Sequence, residues 1–148
     1  MIAAFGFAAE LEPGVVAIAS DAVVGVHLTK LNADGSAKAD DGPGNQSKIT
    51  IGRGSTGWPI CIAPANDLLG LAVTEGIEDA LSVHQATGLG AWAAGAAGRM
   101  PALADRIPAY VECVTICAHP EPAGQANARA LADALTARGI EVMPHGLL

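Results

Sequence analysis

The sequence predicts an α/β domain built on a parallel sheet, preceded by a small β-rich segment. Three observations lead there. From residue 69 onward, short apolar runs at 69–73, 90–94, 111–118 and 140–143 alternate with stretches of helical period at 77–87, 100–107 and 123–138. That alternation is the pattern of βαβ units, whose strands run parallel and whose crossovers are right-handed. Before residue 64 the apolar runs are short, rich in β-branched residues and separated by turn residues, with no helical period. Finally, a hydrophobic share of 51% with only 3% aromatic residues requires a core of Ala, Val, Leu and Ile rather than of large rings.

A chain of 148 residues suits one domain, or one compact domain with a small appended one, and the change of period puts the division between residues 1–64 and 65–148. In the first part, 15–19, 23–31, 48–51 and 59–62 read as strands of an antiparallel or irregular subdomain. Asn32-Ala-Asp-Gly35 is a turn, with glycine available for positive φ. Residues 39–46 read as a polar, glycine-containing loop. In the second part, Gly76 turns the chain from the strand at 69–73 into the helix at 77–87, and Glu78 and Asp79 fall in that helix's first turn, where the macrodipole favours acids. Gly139 is the C-terminal stop of the alanine-rich helix at 123–138.

A formal net charge of −7 with only eight Lys and Arg argues against strong sequence-independent binding of nucleic acid by this chain alone. Such binding draws most of its free energy from basic side chains releasing counterions. Cys61, Cys113 and Cys117 show no metal-ligand spacing and read as reduced thiols of a cytosolic core. No apolar stretch reaches membrane-spanning length, and the first nine residues lack a positively charged leader, so the sequence predicts a soluble, cytoplasmic protein with no membrane partner.

Two acidic clusters stand at the ends of strand-like runs. In one, Leu69-Gly-Leu-Ala-Val-Thr leads into Glu75-Gly-Ile-Glu78-Asp79; in the other, Val114-Thr-Ile-Cys-Ala leads into His119-Pro-Glu121-Pro-Ala-Gly124. Ligands of open α/β sheets bind beyond the carboxyl ends of the strands. Two strands ending in oxygen and nitrogen donors therefore point to a hard-cation site and to phosphate chemistry. The residues after Pro122 open a helix whose N-terminal amides favour an anion. His27, His84 and His145 have no zinc-type spacing and read as packing or surface residues. Gly52-Arg-Gly-Ser-Thr-Gly57 lacks the ending of a phosphate-binding P-loop and reads as a turn-rich connection. Arg99 reads equally as a phosphate contact and as a solvated charge.

Thr74-Glu-Gly-Ile-Glu-Asp-Ala-Leu-Ser82, Trp92-Ala-Ala-Gly95 and Ala118-His-Pro-Glu-Pro-Ala-Gly124 resemble a Toprim domain, and more narrowly the Toprim modules of phage and plasmid primase–helicase proteins. Val24-Gly-Val-His-Leu-Thr-Lys-Leu31, Asp34-Gly35, Lys38 and Lys48-Ile-Thr-Ile-Gly52 resemble the segment preceding Toprim there. The resemblance implies a parallel sheet of about four strands flanked by helices, with acidic residues holding Mg²⁺ for phosphoryl or nucleotidyl transfer on DNA or RNA. It implies catalytic roles for Glu75 and Asp79, the first also a metal ligand. His119 and Glu121 fall on the two aspartates of the family's Asp-x-Asp motif and complete the implied metal set of Glu75, His119 and Glu121. Glu121 keeps a carboxylate on a longer arm. An imidazole is a poor ligand for Mg²⁺, and Mn²⁺ accepts mixed nitrogen and oxygen donors more readily. Two functions follow: a primase-type module catalysing metal-dependent transfer in replication, weakened by the His119 replacement, or a catalytically degenerate module that binds nucleic acid, a helicase or another replication partner. No nucleic-acid-binding residue is singled out.

Overall fold

A computed structural model describes residues 1–12, 15–39, 42 and 46–145. Strands β1 (Ile2–Phe5), β2 (Ala9–Glu12), β3 (Val15–Ala17), β4 (Gly25–Thr29) and β5 (Lys48–Ile51) come first, followed by β6 (Ile60–Ala63) and β7 (Gly70–Thr74). Helix α1 (Ile77–Thr87), β8 (Gly90–Ala93), β9 (Cys113–Cys117), α2 (Pro122–Ala137) and β10 (Glu141–His145) complete the order.

The main sheet has five strands in the order β10-β9-β7-β8-β6. Four of them run parallel, and β6 adds an antiparallel edge beside β8. The sheet is thus one strand wider than the four parallel strands, and the extra strand comes from the segment before residue 64. Every residue of β7 is buried, as befits a central strand covered on both faces. A separate antiparallel sheet, β1-β4-β5, and the antiparallel pair β2–β3 form the N-terminal part.

Two apolar layers hold the helices to opposite faces of the main sheet. On one face α2 buries Ala128, Leu131 and Leu135 against Leu71, Val73, Trp92, Val114 and Ile116. On the other, Ile77 and Ala80 of α1 meet Ala91 and Ala93 of β8, together with Ile60 and Phe5. Phe5 ties the N-terminal sheet into this second layer, and Arg99 stacks over its ring at 4.3 Å.

The helix boundaries follow local chemistry. Gly88 closes α1 in the left-handed region at φ 70°, its N–H donating to the His84 carbonyl at 2.9 Å, and Pro122 opens α2 at its first position. The stretch at 100–107 is a succession of 3₁₀ turns, Ala97–Arg99 and Pro101–Arg106, and not the short α-helix its period suggests. Pro101 starts it and Ile107 is already extended ahead of Pro108, so no room is left for α-helical turns. The turn at Asn32–Gly35 forms as expected, with Gly35 at φ 74°. Of the loop at 39–46, residues 40, 41 and 43–45 lie outside the described residues. Cys113 and Cys117 share one face of β9, and all three cysteines are free. Burial pushes the Cys61 thiol up to about 11, which keeps it protonated at neutral pH. Among the described residues, no helix is long and apolar enough to cross a membrane.

Arg138 joins α2 to the 3₁₀ segment by donating to the carbonyls of Ala104 and, at 2.8 Å, Ile107. Arg138→Ala is expected to lower the unfolding free energy by about 1–2 kcal/mol, the net worth of one or two such bonds. Urea denaturation measures it, and an unchanged midpoint would show that the tie contributes nothing.

Candidate functional site

Glu75 and His119 lie just past the ends of neighbouring strands. β7 and β9 are parallel partners with Thr74 opposite Cys117, so the residues immediately beyond them emerge side by side. The chain leaves β7 through α1 toward β8 on one side, and leaves β9 through α2 toward β10 on the other. The winding therefore reverses between β7 and β9, and the crevice at such a reversal is where open α/β sheets bind ligands.

Local bonds shape the turn after β7. Thr74 Oγ1 donates to the Gly76 carbonyl at 2.7 Å, and Gly76 caps α1 without a side chain. On the far side, the Gly95 N–H donates to the Glu75 carbonyl at 2.9 Å. Gly95 sits at φ 84°, and a Cβ there would lie 2.8 Å from Phe5 Cζ, so both backbone and space demand the glycine of Trp92-Ala-Ala-Gly95. Across the crevice, the first turn of α2 approaches His119 so closely that a Cβ on Gly124 would stand 3.0 Å from the His119 carbonyl. Gln125 Nε2 donates to that carbonyl at 3.1 Å.

These constraints bring Glu75, Asp79 and His119 together. His119 Nε2 lies 2.9 Å from Asp79 Oδ2, and Nδ1 lies 3.6 Å from Glu75 Oε2. The imidazole thus stands between the two carboxylates with one nitrogen turned to each. Glu121 is the N-cap residue of α2, exposed and making no side-chain cap bond, and it acts on His119 through its field. The sequence pattern groups His119 with Glu75 and Glu121 and does not encode its contact with Asp79. The spacing of Asp79 one helical turn after Glu75 is its sequence signal. Glu78 pairs with Lys38 Nζ at 2.9 Å.

The hydrogen bond to Asp79 raises the His119 pKa above its ordinary 6.5; burial works against this, and the charges of Asp79, Glu75 and Glu121 add to it. A raised folded-state pKa means that the protonated ring favours the native state. Its contribution is fully present below the unfolded value and is lost as pH rises through the folded one. With the side chain 44% exposed, the effect is small. The stability difference between wild type and His119→Gln is therefore expected to be largest just below pH 6.5 and to shrink at higher pH, as followed by thermal melts. A difference that grows with pH would contradict the pairing.

A divalent cation needs several donors converging on one point. Among the described residues no group of three or more His, Cys, Asp and Glu side chains is arranged to hold a metal ion. The two carboxylates best placed for one converge on the imidazole instead.

The model of the Toprim domain family matches residues 70–146, just over half of the chain and all of the segment from β7 through β10. Neither a curated protein nor a solved structure matches the chain.

Proposed function

The chain belongs to the Toprim domain family, and from that premise we propose that it is a primase-type module of replication that engages nucleic acid and a helicase or other partner, with its own phosphoryl-transfer chemistry attenuated. Toprim domains act in nucleic-acid processing and typically bind Mg²⁺ or a similar divalent cation. One observation supports attenuation: the His119 ring occupies the space between Glu75 and Asp79, hydrogen-bonded to the second. Mg²⁺ demands near-octahedral oxygen donors at about 2.0–2.1 Å and sheds water reluctantly. An imidazole between the carboxylates satisfies them as a cation would and supplies nitrogen where oxygen is wanted. The residues present therefore do not fit Mg²⁺ in this arrangement. Asp79 acts as the residue that positions the ring, and Glu75, partly exposed at the strand end, is the proposed acid–base group.

A second reading is retained metal-dependent nucleotidyl transfer, with Glu75 and Asp79 as catalytic residues and Glu75, His119 and Glu121 as ligands for Mn²⁺ or Mg²⁺. It is favoured by the location of Glu75 and His119 in the crevice between β7 and β9, with Glu121 at the N-terminal boundary of the adjoining helix. Nucleotidyl-transfer and nuclease turnover on short single-stranded DNA and RNA, with Mg²⁺, Mn²⁺ and EDTA, separates the two. The expected outcome is little primer synthesis, with any residual activity stronger in Mn²⁺ and abolished by Glu75→Ala. Robust primer synthesis would overturn the attenuated reading, and activity unaffected by Glu75→Ala would remove that residue from the chemistry.

A further inference from the structure

Among the described residues, two buried polar atoms on β4 have no hydrogen-bond partner: His27 Nδ1 and Thr29 Oγ1. Their residues are only 4% and 3% exposed. Buried polar groups in native proteins are nearly always paired, because an unpaired one keeps the cost of its lost hydration. Two such groups two residues apart on one strand lie on the same face of the sheet.

That face carries more. Lys48 of β5 sits directly opposite Thr29, which places its side chain beside the threonine. The bridge between Leu31 and Lys38 continues the same alternation, so Lys38 joins the face as well. Lys38 reaches across to Glu78 in the first turn of α1, which shows what the face looks onto. Gly76, the N-cap of this 11-residue helix, offers no side-chain acceptor. The positive end of the helix dipole adds to the field there. A Cβ built on Gly95 would lie 3.7 Å from His27 Nδ1, and the Gly95 N–H donates to the Glu75 carbonyl at 2.9 Å. The face therefore adjoins the acidic crevice.

The charges are concentrated. Of eight Lys and Arg in a chain of net charge −7, Lys48, Arg99 and Lys38 all act on His27. Burial first, then Lys48, with Glu78 opposing and Arg99 and Lys38 adding, hold its pKa below the ordinary value, and the neutral ring favoured by this presents one N–H donor. Arg99 is already committed to the carbonyls of Ala94 and Ser55.

We propose that the inner face of the β1-β4-β5 sheet, opposite the first turn of α1, is a phosphate-binding subsite in which Lys38, Lys48, Thr29 and His27 supply the donors. The set consists of two ammonium groups, a hydroxyl and a ring nitrogen facing a helix N-terminus. A phosphate, with acceptor oxygens on every side, pairs with all of them. In the ligand-free protein Glu78 serves as the counter-ion of Lys38 and links the sheet to α1; phosphate takes its place. The inference rests on the nucleic-acid reading only for what carries the phosphate.

Calorimetry in EDTA tests it, independently of whether the acidic crevice binds metal or catalyses anything. The probes are inorganic pyrophosphate, a nucleoside triphosphate and a short single-stranded DNA without a terminal phosphate. Saturable binding of the first two marks a nucleotide subsite, whereas binding of the DNA alone marks a backbone contact; both support the site. Lys48→Ala is expected to weaken binding about tenfold, through loss of a charge-assisted hydrogen bond. Glu78→Gln should strengthen it by removing the internal competitor. Thr29→Val should weaken it while raising the melting temperature of the ligand-free protein, a pair of effects that a residue with a packing role alone does not produce. No saturable binding of any probe, or equal affinity in Lys48→Ala, Thr29→Val and Glu78→Gln, would overturn the proposal.

Discussion

His119→Asp is expected to bind Mg²⁺ about tenfold or more tightly than the wild type, a gain of about 1.4 kcal/mol or more. The substitution acts twice. It removes the ring that stands 2.9 Å from Asp79 and 3.6 Å from Glu75, and so frees both carboxylates to turn to a common ion. It also adds a third carboxylate at the end of β9, beside the end of β7. Mg²⁺ prefers oxygen donors, and its affinity rises as carboxylates replace nitrogen. In the wild type Mn²⁺ should bind better than Mg²⁺, and the substitution should narrow that difference. Calorimetry with both cations on both proteins is the measurement. Equal Mg²⁺ affinity in the two would show that the residue at 119 neither blocks nor supplies a ligand.

Leu131→Ala is expected to destabilise the fold by about 2–5 kcal/mol, the usual range for emptying a fully buried leucine site. Leu131 is 0% exposed and lies in the layer that holds α2 against Val114 and Ile116 of β9 and Leu71 and Val73 of β7. For a domain of this size the loss corresponds to a melting temperature lower by about 4–20 °C. The site shares the consequence, because the first turn of α2 contacts the His119 backbone through Gly124 and Gln125. Differential scanning calorimetry reads the shift; an unchanged melting temperature would mean that α2 is not seated on the sheet through this residue.

The α/β architecture is legible because its strands and helices carry strong local signals. The strand at Gly70–Thr74 is apolar throughout because it is buried on both faces, and Gly76 and Gly88 bracket α1 so clearly that its bounds read directly. Other elements carry no such mark. Ile2–Phe5 is alanine-rich without alternation, and its strand character comes from pairing with β4, twenty or more residues away. The membership of Ile60–Ala63 in the main sheet likewise arises from long-range pairing with β8. At 100–107 the helical period is present, but prolines at both ends restrict it to 3₁₀ turns.

The candidate site divides in the same way. Placement of Glu75 and His119 at strand ends follows from sequence pattern and the rule for open sheets. The bond between His119 and Asp79 joins residues 40 positions apart and depends on how α1 leaves β7 relative to the end of β9. No local pattern encodes that angle. His27 reads locally as an ordinary packed histidine; only its shared face with Thr29 and Lys48, established by strand register, exposes the unpaired donors.

The His119 imidazole stands between Glu75 and Asp79, where a divalent cation would need both carboxylates. The nitrogen-15 resonances of the His119 ring, recorded with and without excess Mg²⁺ and again in Asp79→Asn, test it most directly. The ring resonances are expected to stay in place with Mg²⁺ and to move in Asp79→Asn, with Nε2 affected more than Nδ1. Saturable displacement of the ring signals by Mg²⁺, together with indifference to Asp79→Asn, would contradict it.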